Sequence, residues 1–347
     1  MFKKGENIIL GISIGDMNGV GPEVILKTFE DPRMMELCTP VVFGNAKLLS
    51  FIKKAANCTT AIHGIDSLDQ IQVGKFNILN VWKEGVNLDF GILDDAVGQY
   101  AIKSFVSATQ ALKENEIDAL VTAPINKYNI QSEEFKFPGH TDYLNQELNG
   151  NALMFMVSED LKVGLLTDHI PLHSVSDTIT PELIKQKVHT INKSLIQDFN
   201  VVRPRIALLG LNPHSGDNGI IGNEEQNFII NTVKELFDEN IIIYGPYSAD
   251  AFFGSEQYKE FDAVVACYHD QGLIPFKAMN FGHGVNYTAG LDKIRTSPDH
   301  GTAYDIAGKG IADSTSFKNA VYTALDIYKN RNEYMQSTAN PLKVSNN

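Results

Sequence analysis

Residues Asp262 to Asp313 read DAVVACYHDQGLIPFKAMNFGHGVNYTAGLDKIRTSPDHGTAYDIAGKGIAD, and this stretch decides the fold. It opens on an apolar run, Asp262 to Cys267, short and β-branched enough for a strand buried inside a parallel sheet. Tyr268-His269-Asp270 then stands where a loop leaves the strand's carboxyl end. Open α/β sheets bind their ligands at that edge. Lys277, Asn286, Arg295 and His300 follow, with a glycine-rich turn. Cations, an amide and an imidazole at this density suit a small anionic substrate beside a nucleotide.

The same alternation of buried strand, polar loop and helix extends back to the N-terminus. Ile8 to Ile14 reads as a strand leading into Gly15-Asp16-Met17-Asn18-Gly19-Val20-Gly21-Pro22, with Pro22 in the first turn of a helix. The glycines fit either a phosphate cradle or a tight turn, and their spacing is not GxGxxG. Asp16 is placed to face a cleft. Further strands are expected at Pro40–Phe43, Phe76–Val81, Asp118–Thr122, Leu161–Thr167, Arg205–Leu211 and Ile241–Tyr244. Helices are expected at Ala46–Ala56, Asp94–Asn115, after the Thr180 cap, and at Glu224–Phe237. Lys127, His140, Thr141 and Asp250 lie in loops or helix starts at the ligand edge. The tail after Lys329 is polar and expected to fray.

Of the nine histidines, His169, His214 and His269 share one context, each shortly after a buried-looking strand. If those strands are parallel neighbours, the imidazoles gather at one sheet edge. Three neutral imidazoles with an open position suit a catalytic divalent cation, zinc most readily, with magnesium, cobalt or manganese as alternatives. His63, His173, His189 and His283 lack that placement and read as surface or structural residues.

With 347 residues, 43% hydrophobic and 20% charged, the chain has the composition of a soluble protein long enough for two domains. A net charge of −13 argues against nucleic acid as a partner. No apolar run reaches the roughly 20 residues of a membrane span, and the N-terminus has no signal-peptide core, so a cytoplasmic protein is expected. Cys38, Cys58 and Cys267 show no pairing pattern and read as buried, reduced thiols.

GDMNGVGPE from Gly15, TAPINK from Thr122, FPGHTDYL from Phe137, TDHIPL from Thr167, LNPHSG from Leu211, YHDQGLIPFK from Tyr268 and DHGTAYDIAGKGIAD from Asp299 occur in this order. Together they resemble the 4-hydroxythreonine-4-phosphate dehydrogenase family of pyridoxal phosphate biosynthesis, over nearly the whole chain. The last segment is also similar to the adenine-side loop of isocitrate and isopropylmalate dehydrogenases. The resemblance therefore implies an α/β fold of two interwoven α/β/α domains with a cleft between them, not a Rossmann domain. The expected partition is 1–125 plus 285–347 for the nucleotide side, and 126–284 for metal, substrate and dimerisation.

By position, the resemblance implies His169, His214 and His269 as metal ligands and His140, Thr141, Lys277, Asn286 and Arg295 around the substrate. His300, Gly301, Thr302, Asp305 and Ile306 would line the adenosine end of NAD or NADP. It further implies a homodimer whose active site draws on both chains. The implied reaction is NAD(P)-dependent oxidation of 4-phosphohydroxy-L-threonine to 2-amino-3-oxo-4-phosphonooxybutanoate, which decarboxylates to 3-amino-2-oxopropyl phosphate. Lys277 is the candidate general base, with Asp270 second. Asp168 stands where the family usually has threonine, and Met17-Asn18 where it has Pro-Ala, leaving open another phosphorylated hydroxy acid as substrate. The competing classes are a phosphate acyltransferase on a similar scaffold, a metal hydrolase and a pure binding protein. None of the three would consume a nicotinamide.

Overall fold

The computed structural model describes residues 7–133 and 135–340. Its twelve strands are β1 (Ile8–Ser13), β2 (Cys38–Gly44), β3 (Ile62–Ile65), β4 (Phe76–Asn80), β5 (Ala119–Thr122), β6 (Gly150–Val157), β7 (Lys162–Leu165), β8 (Arg205–Leu209), β9 (Ile242–Tyr247), β10 (Ala263–Ala266), β11 (Val285–Leu291) and β12 (Arg295–Pro298). Helices separate most of them, the α/β alternation expected from the sequence.

The described residues form two compact units, each built from more than one stretch: one within 7–152 and 280–325, the other within 153–279 and 326–340. The chain crosses between them at 152/153 and at 279/280. A third crossing, at 325/326, falls inside the last helix.

In the first unit the strand order is β3-β4-β2-β1-β5-β12-β11, parallel throughout except that β11 runs antiparallel to β12. β2 (CTPVVFG) and β5 (ALVT) are buried at every position, because helices cover both faces of a parallel sheet. The helix Asp95–Lys113 starts where the Asp94 carboxylate accepts hydrogen bonds from the Ala96 and Val97 amides, at 2.7 and 3.2 Å. Its apolar face joins Phe105, Phe135, Leu144 and Leu148 in one core.

In the second unit the order is β6-β7-β10-β8-β9, with only β6 and β7 antiparallel. β10 (AVVA) is wholly buried at its centre, packed with Leu165, Leu209, Phe252 and Phe276. Cys38, Cys58 and Cys267 are free and buried, as expected. Burial pushes the Cys267 thiol far up, which keeps it inert.

One expectation fails. The chain does not fray after Lys329: the last helix runs Thr315–Thr338. Ile327 is buried, Asn330 donates to the Asp198 carbonyl at 2.7 Å, and the Arg331 guanidinium meets the buried Asp198 carboxylate at 2.6 Å. A polar tail is thus held by a buried ion pair that a polarity pattern does not reveal. Residues 341–347 lie outside the described part.

Candidate active site

In the first unit, Arg295 opens β12 and is only 2% exposed. Its Nε and one terminal nitrogen donate to Thr122 Oγ1 at 3.1 and 2.6 Å, and the other terminal nitrogen donates to Thr288 Oγ1 at 3.1 Å. A fourth bond, 3.1 Å, reaches His140 Nδ1. All three partners, Thr122, Thr288 and His140, are neutral, and among the described residues no carboxylate lies within ion-pair distance of Arg295. Burial alone pushes its pKa down to about 9. A buried guanidinium without a counter-ion is costly, and an anion brought to it would offset that cost.

His140 begins the helix His140–Glu147, and its ring lies edge-on to Phe105, centroids 4.5 Å apart. Because a guanidinium only donates, Nδ1 must accept from Arg295, so the ring proton sits on Nε2. Nε2 is buried and has no hydrogen-bond partner. Thr141, half-buried, follows at the same helix start. Asn286 on β11, also half-buried, has a buried Oδ1 without a partner. The first unit thus offers a cation, an N–H donor and an amide acceptor, each awaiting a ligand group.

Burial first, then the charges of Arg295 and Lys127, hold the His140 pKa well below the usual imidazole range. The unfolded chain, with an ordinary pKa near about 6.5, therefore takes up a proton first as pH falls. The stability tied to neutral His140 is complete above that pH and is lost as pH falls toward the folded-state value. His140→Asn should flatten the acid limb of stability against pH by up to about 1.4 kcal/mol per pH unit, read from urea unfolding between pH 5 and 7. An unchanged limb would contradict a neutral His140.

The glycine-rich turn takes the tight-turn role. Gly15 has φ +71°, and a Cβ there would lie 2.5 Å from the Pro124 carbonyl. Asp16 does not face a cleft: it is 1% exposed and bonded to the Asn18 amide, Asn129 and Tyr304. Downstream, His300 Nδ1 bonds to the Gly301 carbonyl at 2.9 Å, so it carries the proton. Nε2 is then a buried acceptor without a partner, which fits the amino group of an adenine. Gly301 and Asp305 are exposed, while Thr302 and Ile306 are half-buried.

In the second unit, β7, β10 and β8 are adjacent and parallel, so the loops carrying His169, His269 and His214 leave one carboxyl edge. The rings of His169 and His269 lie 5.7 Å apart at their centroids. His269 Nδ1 meets Asp270 Oδ1 at 2.7 Å, leaving Nε2 for a ligand. This carboxylate–imidazole pairing is the usual outer support of a metal-binding histidine. Two imidazoles, one so oriented, fit a divalent cation. Among the described residues of one chain, no group of three or more potential ligands is brought together. Lys277, exposed, lies in the last turn of the helix His269–Met279.

His214 sits in an unusual turn. From His214 to Asn218 the φ angles are 51, 52, 78, 43 and 58°, a full left-handed turn in which only Gly216 is glycine. Each non-glycine residue there costs roughly 1–2 kcal/mol. Glu225, fully buried, accepts from the Asn212 amide and side chain at 2.8 and 2.9 Å, and Ser215 Oγ donates to the Pro246 carbonyl at 3.0 Å. These bonds hold the start of the turn. Thr288 and Glu225 lie in none of the quoted motifs, and only their partners' positions reveal them; Thr122 and Asn212 lie inside motifs, but the spacing does not show what they bind.

A family model described as pyridoxal phosphate biosynthetic protein PdxA matches residues 36–324. The chain belongs to this family. It is 48% identical over 340 residues to a 4-hydroxythreonine-4-phosphate dehydrogenase of Bacteroides thetaiotaomicron, covering 97% of the chain and 93% of that relative. The crystal structure of the Klebsiella pneumoniae 4-hydroxythreonine-4-phosphate dehydrogenase matches at TM-score 0.80 and 33% identity, covering 93% of this chain and 98% of that one. A D-threonate 4-phosphate dehydrogenase of Cupriavidus necator is 36% identical over 328 residues, 93% of the chain and 98% of that relative. The expected α/β fold and family hold. No helix among the described residues is long and apolar enough to cross a membrane.

Proposed function

We propose that the chain is a cytoplasmic, homodimeric dehydrogenase that oxidises the secondary alcohol of 4-phosphohydroxy-L-threonine in pyridoxal 5′-phosphate biosynthesis. The product, 2-amino-3-oxo-4-phosphonooxybutanoate, is a β-keto acid that loses CO2 to give 3-amino-2-oxopropyl phosphate. The observation that carries this is the buried Arg295, bonded among the described residues to neutral groups alone, beside a His140 whose Nε2–H has no partner there. NAD or NADP would supply the hydride acceptor, and a divalent cation Lewis-acid polarisation of the alcohol oxygen.

The chain's residues divide the remaining work. Arg295 binds an anionic group of the substrate, and His140 Nε2–H donates to one of its oxygens. Asn286 Oδ1 accepts from the substrate ammonium, and Thr141 supplies a hydroxyl beside His140. His169, His214 and His269 would hold the cation, with a second copy of the chain completing the set. Asp270, engaged with His269, orients that ring, which leaves Lys277 as the base for the alcohol proton. His300 Nε2 receives the adenine amino group, with Gly301, Thr302, Asp305 and Ile306 lining the adenosine end.

The test is NAD and NADP reduction with 4-phosphohydroxy-L-threonine and D-threonate 4-phosphate, each with Zn2+, Mg2+, Co2+ or Mn2+ and after chelation. Metal-dependent reduction with the first substrate, at a kcat/KM at least tenfold above the second, is expected. Turnover of a phosphorylated substrate without any nicotinamide would move the chain to the acyltransferase or hydrolase class.

A further inference from the structure

Asp16 is the junction of the first unit's loops. Its carboxylate accepts from the Asn18 amide at 2.9 Å, from Asn129 Nδ2 at 2.8 Å and from the Tyr304 hydroxyl at 2.7 Å. Asn129 Nδ2 also reaches the carbonyl of Asp94, the cap of the helix Asp95–Lys113. Asn18 holds the Ile92 carbonyl and the Asp89 amide. One buried carboxylate thus binds segments more than a hundred residues apart in sequence.

Tyr304 belongs to the stretch His300–Ile306, and its neighbour Ala303 has φ +45°, a left-handed backbone that alanine adopts only under constraint. The constraint is visible on both sides. Before Ala303, the Thr302 carbonyl accepts from the Val20 amide at 2.9 Å, and a Cβ on Gly19 would lie 2.7 Å from that oxygen. After it, the Tyr304 hydroxyl is fixed on Asp16. Further along, Lys27 Nζ holds the Gly310 and Ala312 carbonyls at 3.0 and 2.8 Å, so the far end of the loop is anchored independently.

We propose that Tyr304 and Asp16 are positioning residues for the dinucleotide: their hydrogen bond holds Ala303 in its strained conformation and thereby presets the His300–Ile306 loop for the adenosine end. The inference rests on the assignment of that loop to the cofactor. Neither side chain needs to touch the ligand. Without the bond, the loop relaxes toward ordinary backbone angles, and binding must first select the strained form.

The experiment measures Kd for ADP-ribose and NADH, with kcat and substrate KM, in full-length wild type, Tyr304→Phe, Asp16→Asn, the double variant and His300→Ala. Tyr304→Phe should weaken both ligands about tenfold, as expected for losing one bond to a charged acceptor. Its kcat at saturating cofactor and its substrate KM should stay within twofold of wild type. The double variant should bind no worse than Asp16→Asn alone, because that substitution already disrupts the Tyr304 bond, along with the bond from Asn129. A general loss of stability would instead lower kcat and both affinities together. If His300→Ala weakens ADP-ribose but Tyr304→Phe does not, the positioning role is refuted while the cofactor assignment survives. If neither weakens it, or wild type fails to bind ADP-ribose, both are refuted.

Discussion

Replacing Arg295 with methionine is expected to lower kcat/KM for the phosphorylated substrate by about two to three orders of magnitude while leaving the free enzyme as stable as before, or more so. The two effects have opposite signs for one reason. In the free chain the guanidinium is buried among Thr122, Thr288 and His140, and among the described residues no opposite charge offsets its desolvation. Methionine of similar length removes that cost. In the complex, the same guanidinium meets the ligand anion, and losing a buried charge-assisted pair costs about 2–5 kcal/mol. Arg295→Lys should recover only part of the activity, because an ammonium cannot reproduce the planar fork. Thermal midpoints without ligand and steady-state kinetics check both halves. A large drop in midpoint with unchanged kcat/KM would make Arg295 a structural residue.

His269→Ala should abolish turnover, with a fall of about a thousandfold or more, and leave the protein unable to retain stoichiometric divalent metal through gel filtration. The imidazole is 37% exposed, so the fold should survive its loss. Asp270→Asn is the graded companion. It keeps the shape but weakens the acceptor that fixes the proton on Nδ1, and outer-sphere changes of this kind cost about 10- to 100-fold in metal affinity. Metal content by atomic emission and Co2+ titration distinguish the two variants. Full metal content in His269→Ala would sink the proposed ligand set.

The apolar runs were the most legible part of the sequence. β2, β5, β8 and β10 are continuous because their sheets are buried on both faces, so pattern and structure agree to within a few residues. The parallel adjacency of β7, β10 and β8 bears out the shared edge inferred for the strands before the three histidines. What escaped depends on long-range pairing. His140 and Arg295 are 155 positions apart and Asp16 and Tyr304 are 288 apart, and no local spacing encodes either contact. Asp16 looked like a cleft residue because its position at a strand end is legible, whereas the three donors that turn it inward are not. The C-terminal helix was underestimated likewise, since Asp198 lies far upstream of Arg331.

The left-handed coil from His214 to Asn218 narrows which amino acids this part of the chain tolerates. Asn218 and Asp217 are among the few side chains that accept such backbone angles, and glycine would relax them further. Valine, isoleucine or threonine at any of the five positions would set a branched Cβ against the preceding carbonyl. The loop's mutational freedom is therefore limited by chirality before any question of metal chemistry arises, and glycine, asparagine and aspartate are the replacements such backbone angles admit most readily.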